Sequence, residues 1–328
     1  MTDYKNVICK FPAITLSGAT ESSPAEGDIW YESGKFNLGT SQSIAGVWSS
    51  GGNLATARSG LGGCGTQSAG LCFGGDTNLL DTNTNITEEY NGTAWSSGGN
   101  LGEARRQNAG AGTQPAGLTM GGTTTSAYST STEEYDGSSW SGGGSLSTGR
   151  WGLGGAGTQT AGLCFGGTTG SNSVVTEEYD GSSWSSGGNL ATAVRGMAPA
   201  GTQIAGLKSG GNDGSSPSIV TEEYNGTAWS GGGNLITGRQ MFGGCGTQSA
   251  GLNMGADQGA RTLTEEYDGT SWSAGGNLTS GRASGAGIGT QGAGLYAGGY
   301  IESTSVITEE YDPGAGSYDQ LFTAVEGS

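Results

Sequence analysis

Twelve glutamates of this chain occur in pairs, always inside a Thr-Glu-Glu-Tyr tetrad: Glu88/Glu89, Glu133/Glu134, Glu177/Glu178, Glu222/Glu223, Glu265/Glu266 and Glu309/Glu310. Paired carboxylates can work as acid and base on a glycosidic bond, or hold calcium. Adjacent residues of an extended strand point to opposite faces, however, so the two carboxylates of each pair diverge. Six copies of one pair also lack the asymmetry that a reaction centre needs. The expected partners are the arginines placed four residues after a recurring leucine: Arg58, Arg105, Arg150, Arg239 and Arg282. In the fourth copy Val194 holds that place and Arg195 follows it. Ion pairs within or between repeats are the reading, and calcium binding by the glutamates is left open.

The rest of the inventory adds little catalytic potential. Histidine is absent, which removes the commonest metal ligand and the commonest general base together. Cys64 and Cys245 share one repeat position, Cys72 and Cys164 another, and Cys9 stands apart. Equivalent positions in different repeats lie far apart, so these thiols read as small buried side chains and not as a disulfide framework. No catalytic residue, cofactor site or metal site is assigned, and the chain is expected not to be an enzyme. A net charge of −17 argues against nucleic acid and against an anionic membrane surface. No signal peptide and no apolar run of spanning length stands out, so synthesis in a cytosol is expected.

What must position these groups is a repeat. The tetrad tyrosines, Tyr90, Tyr135, Tyr179, Tyr224, Tyr267 and Tyr311, lie 43 to 45 residues apart. Trp48, Trp95, Trp140, Trp184, Trp229 and Trp272 each precede a leucine by six residues. Each leucine precedes the glycine of a Gly-Thr-Gln by eleven, and that glycine precedes a small-residue pair (Gly74 and Gly75 in the first copy) by nine. Asn-Gly or Asp-Gly between Tyr and Trp signals a two-residue hairpin. The stretch ending in the glycine pair reads as an inner strand, and the glycine-rich Arg58-to-Gln67 stretch as the innermost one. Four antiparallel strands per unit, six units and all-β content predict a six-bladed β-propeller. The threonines and glutamines of Gly-Thr-Gln are expected to hydrogen-bond around the ring, and the tryptophans to pack between blades.

The combination of a glycine pair ending strand two, Tyr in strand three, Trp in strand four and Arg leading into the next unit resembles the Kelch repeat. The resemblance spans Trp48 to Tyr311. The interval from Tyr to Trp is slightly short for that family and the inner strands are unusually small. Copper chemistry of the kind the galactose oxidase fold carries on histidines is not transferable to a chain without histidine.

Tyr311 has no tryptophan after it, and Trp48 has no tyrosine before it. The segment Ile44 to Ser50 is therefore expected to supply the outer strand of the last blade and close the ring. The alternative is that Tyr318 to Val325 does so. The division expected is an N-terminal docking arm and hairpin over 1–43, a propeller over 44–315 and a C-terminal tail over 316–328.

Only the interval from the glycine pair to the tyrosine varies in length. Repeat proteins gather such variation in loops on one face, often the binding face, although unconstrained drift gives the same pattern. Asp81, Tyr128, Asn172, Asp213, Arg261 and Tyr300 lie in these segments and are the candidate binding-face residues. The N-terminal Gly-Asp-Ile-Trp-Tyr-Glu-Ser-Gly-Lys-Phe hairpin and the Trp-x-x-Gly-Gly-Asn-Leu consensus resemble repeat-bearing virion proteins of tailed, especially marine, bacteriophages. That resemblance implies a tail-associated fibre or receptor-binding subunit within a larger assembly, made in the host cytoplasm. It would dock on other virion proteins through residues 1–43, with Trp30, Tyr31 and Phe36 as contacts, and turn its loops to a host glycan or receptor. A head decoration protein and a free carbohydrate-binding, lectin-like propeller are the alternatives.

Overall fold

A computed structural model describes residues 46–78, 82–257, 259 and 261–313, together with short strands at 29–32, 35–38, 41–42 and 318–319. Residues 46 to 313 make six four-stranded antiparallel sheets, each a blade of a β-propeller. Blade one runs Gly62–Thr66, Ala69–Phe73, Thr87–Tyr90 and Trp95–Ser97 from the axis outward, and blades two to five repeat that order.

Blade six is built from both ends of the ring. Its first three strands are Ala286–Thr290, Ala293–Ala297 and Thr308–Asp312, and its fourth is Val47–Ser50, with Trp48 opposite Tyr311. The expected N-terminal closure is what the fold shows. The alternative segment pairs elsewhere: Tyr318–Asp319 lies antiparallel to Ser41–Gln42, within a separate unit formed by residues 1–45 and 314–328. In that unit Ile29–Glu32 and Lys35–Leu38 form the expected hairpin, with Tyr31 opposite Phe36.

Small residues let the innermost strands meet around the axis. A Cβ on Gly110 would stand 2.5 Å from the Gly63 carbonyl oxygen of the neighbouring blade, and one on Gly62 would stand 2.4 Å from the Phe73 ring. Between the glycine-rich strands and the outer strands lies the apolar packing, shared by adjacent blades. Cys64, Leu71 and Phe73 of blade one pack on Leu101, Tyr135 and Trp140, which lead into or belong to blade two. The expected thiol burial holds, since Cys64, Cys72, Cys164 and Cys245 are buried and free.

The hairpins between third and fourth strands differ from the expected two-residue turn. Strand pairing stops at Tyr90 and Trp95, because the Ala94 N–H donates to the Asn91 side-chain oxygen (2.9 Å) and not to the Asn91 carbonyl. Thr93 N–H takes the same oxygen at 3.0 Å, an Asx turn that widens the loop. Where aspartate replaces asparagine, the Ser138 hydroxyl first and the Ser139 and Ser138 N–H groups next hold the Asp136 carboxyl down at about 2.

Candidate functional site

The carboxylates of the tetrads are committed to holding the ring. In five blades the first glutamate is buried against the arginine that leads into that blade: Arg58 with Glu88 at 2.9 Å, Arg150 with Glu177 at 2.6 Å, Arg239 with Glu265 at 2.7 Å, and likewise Arg105 with Glu133 and Arg282 with Glu309. The same arginines bond backbone carbonyls, as Arg58 does to Gly74 and Ile86 at 2.8 Å each. The second carboxylate oxygen accepts the backbone N–H that follows the leucine, as Glu88 does from Ala55 at 2.7 Å. With both lone-pair faces engaged and the guanidinium alongside, the buried charge is compensated.

Blade four solves the same problem with a different residue. Val194 cannot supply charge, and Lys208, on the second strand directly opposite Glu222, places its Nζ 3.6 Å from the carboxylate. Lys208 stands where the other blades carry Cys72, Thr119, Cys164, Asn253 and Tyr296. Burial pushes its pKa down, and Glu222 opposes that shift.

The second glutamate of each tetrad faces the next blade. Tyr135 donates to Glu89 at 2.5 Å, Tyr179 to Glu134 at 2.6 Å, Tyr224 to Glu178 at 2.5 Å and Tyr267 to Glu223 at 2.6 Å. Tyr90 to Glu310 (2.5 Å) and Tyr311 to Glu266 complete the circle. Desolvation first, and the carboxylate next, push the phenols of Tyr90, Tyr135, Tyr179 and Tyr267 up to about 12. Two further six-fold sets run the same way. Each tryptophan Nε1 donates to a threonine of the preceding blade, as Trp140 does to Thr87 at 2.9 Å. Each Gly-Thr-Gln glutamine bridges two carbonyls of that blade, as Gln114 does those of Gly70 and Tyr90.

Six peptide groups close a smaller circle at the axis. Gly60 N–H donates to Ser284 O (2.8 Å), Ser284 to Met241 (2.7 Å), Met241 to Gly196 (2.8 Å), Gly196 to Gly152 (2.7 Å), Gly152 to Gln107 (2.9 Å) and Gln107 back to Gly60 (2.6 Å). All six residues are left-handed, with φ between 53° and 61°, although three of them are not glycine. Non-glycine residues in that region are uncommon and cluster where function constrains the backbone.

A cavity of about 120 Å³ borders this peptide ring, lined by the ring and the starts of the innermost strands. A funnel of about 410 Å³ shares Gly60, Gln107 and Ser284 with it. Most of the funnel wall comes from two positions, the residue before the ring member and the residue after the small-residue pair, which bridge each other within a blade: Ser59 and Asp76 of blade one, Arg106 and Thr123 of blade two, Trp151 of blade three and Tyr300 of blade six line it. Here the near-identical blades differ from one another. Arg106 pairs with the buried Asp76 at 2.7 Å, and Tyr300 donates to Asp257 at 3.1 Å. Desolvation, then Asp257, raises the Tyr300 pKa.

Of the candidate loop residues, Tyr128 and Tyr300 line this funnel. Asn172 is turned to structure, donating to the Asn212 carbonyl at 2.8 Å; Asp213 caps its own exposed loop through Ser215; Arg261 donates to the Ile301 carbonyl at 3.1 Å. Asp81 lies outside the described residues, as do the side chains of Trp30, Tyr31 and Phe36. Asp76, Arg106 and Trp151 were not among the candidates. The signal for two of them is the residue directly after the recurrent arginine or its replacement, which reads Ser59, Arg106, Trp151, Arg195, Gln240 and Ala283 in a fixed-length interval.

No group of three or more His, Cys, Asp or Glu side chains among the described residues could hold a metal ion. No helix among them is long and apolar enough to cross a membrane.

No family model matches the chain, and no curated protein matches it in sequence. The likeness is in shape. A solved structure titled "Structure of YjhT" is similar to this chain with a TM-score of 0.66, over 78% of this chain and 95% of that one, at 12% identity. At that identity the comparison speaks for the propeller fold alone.

Proposed function

We propose that the chain is a non-enzymatic recognition propeller of Kelch type that presents the axial funnel of its loop face to a ligand. In the setting that the hairpin and the repeat consensus resemble, it serves as a tail-associated, receptor-contacting component of a phage particle. The observation that carries the reading is the funnel itself: variation among otherwise uniform blades is concentrated at a concavity lined by blades one, two, three and six. Its volume lies within the range of about 300–1,000 Å³ usual for ligand sites, and its wall mixes aromatic and polar side chains. Support for a binding role over a catalytic one is that the carboxylate among the funnel's lining residues, Asp76, is engaged by Arg106.

Two experiments test this. The purified protein is applied to a panel of bacterial surface glycans; saturable binding that is lost in Trp151→Ala and reduced in Tyr128→Ala is expected, with no change in the glycan after incubation. Turnover of a bound glycan would overturn the non-enzymatic reading. Electron microscopy of labelled particles is expected to place the propeller on the tail; label on the capsid lattice would favour the head-decoration alternative, and absence from particles the free lectin-like one.

A further inference from the structure

This inference rests on the recognition reading and names its ligand class. The chain has far more carboxylates than cations, with 29 acidic residues against 12 basic ones, and most of its arginines are claimed. Arg58, Arg105, Arg150, Arg239 and Arg282 are buried on glutamates, and Arg106 is held by Asp76. Arg195 differs. Among the described residues no carboxylate lies within ion-pair distance of it, and its Nε is buried with no hydrogen-bond partner. The bridging position of its own blade is the neutral Asn212, where blades one and five carry Asp76 and Asp257. The guanidinium lies over the ring of Trp151, 5.5 Å from its centroid, and Trp151 lines the funnel.

We infer that Arg195, its guanidinium 5.5 Å from the ring centroid of the funnel-lining Trp151, is the anion fork of the site, and that the ligand is a saccharide bearing a carboxylate. A guanidinium fork held beside an indole is pre-organised, so little rotamer freedom is lost when it takes a carboxylate through two parallel N–H bonds. Cation–π contact with the indole holds the charge in place without neutralising it. Tyr128 and Tyr300 offer apolar ring faces with polar tips, and Ser59, Thr123 and Gln107 offer hydrogen-bonding groups suited to hydroxyls. Arg106 cannot play the same part, because Asp76 already neutralises it. The net charge of −17 opposes any anion at long range, but at physiological ionic strength charges beyond about 8 Å are largely screened, and the local cation decides.

The test compares trigalacturonate with maltotriose and with a sulfated maltotriose, by titration calorimetry on the full-length chain. Trigalacturonate is expected to bind, with maltotriose weaker by roughly 10- to 100-fold, the worth of one charge-assisted contact. Arg195→Gln is expected to erase that preference while leaving the unfolding midpoint unchanged, and Arg261→Gln to leave it intact. Equal binding of trigalacturonate and maltotriose overturns the carboxylate assignment but spares the recognition reading, as does preference for the sulfated sugar. If none of the three binds, and the wider glycan panel is also silent, both fall. Preference retained in Arg195→Gln overturns the role given to that residue.

Discussion

Lys208 shows how narrow the electrostatic requirement of one buried carboxylate is. The first glutamate of each tetrad needs a cation, and blade four moved that cation from the connector to the neighbouring strand. Its replacement is the poorest of the six, since the Glu222 oxygen facing Lys208 has no hydrogen-bond partner. Lys208→Cys is expected to lower the unfolding free energy by about 3–5 kcal/mol, the cost of leaving a buried charge unpaired. Adding Val194→Arg to that variant rebuilds the arrangement of blade one and is expected to recover most of the loss in urea unfolding. Failure of the double variant to recover would mean that the pair is not what holds Glu222.

The left-handed peptide ring offers a second test at this scale. Met241 sits at φ 54°, where an L-residue is disfavoured and glycine is not. Met241→Gly is expected to raise stability by about 0.5–1 kcal/mol, net of the chain entropy that glycine adds to the unfolded state. A stabilised variant would show that the methionine is kept for something other than folding. The arginine–glutamate pairing was legible in the sequence because both partners recur at fixed distances. Lys208 was not, because its charge appears at a different repeat position, and only its being the sole lysine within the blades marks it.

At the level of the blade, the fourth strand is short and reaches its neighbours mainly through one aromatic residue. Each tryptophan stacks on the tyrosine of its own blade, as Trp95 does on Tyr90 with ring centroids 4.9 Å apart, and bonds a threonine of the blade before it. Trp48 does both while belonging to a strand that no hairpin ties to its sheet. Trp48→Ala is expected to cost about 3–5 kcal/mol. Trp184→Ala, on a fourth strand that a hairpin does tie, is expected to cost less, with urea midpoints as the comparison. Equal losses would mean that the closing strand is held no more by its tryptophan than any other. Strand count, order and closure could be read from spacing, since each fixed interval corresponds to a strand or a turn. The width of the hairpin could not, because the Asn91 side chain competes with its own carbonyl for one N–H. Loop length drew attention to the tips of the loops, whereas the funnel is walled largely at positions where length is constant and only identity changes.

For the ring as a whole, the six tyrosine–glutamate contacts make stability depend on alkaline pH. A phenol that titrates near 10 when exposed is held up to about 12 in the folded state at Tyr90, Tyr135, Tyr179 and Tyr267. Between those values the unfolded chain binds fewer protons than the folded one, so stability falls as pH rises. The stabilisation is expected to be fully present below about pH 10 and to be lost between about pH 10 and 12. Tyrosinate absorbance from these ring phenols, over and above that of the exposed tyrosines such as Tyr128, should then appear in step with unfolding and not ahead of it. Ionisation that precedes loss of structure would show that the contacts do not hold the blades together.

The last blade also fixes an order of events during synthesis. The Trp48 indole finds its partner at Thr264, 216 residues later, and its strand waits longer still for Tyr311. A nascent chain therefore leaves the ribosome with one edge of the circle already made and nothing to join it to, and a loop closed over so much sequence forms late. Any product released before Tyr311 is an open arc, with two raw strand edges available to other arcs at high local concentration on a polysome.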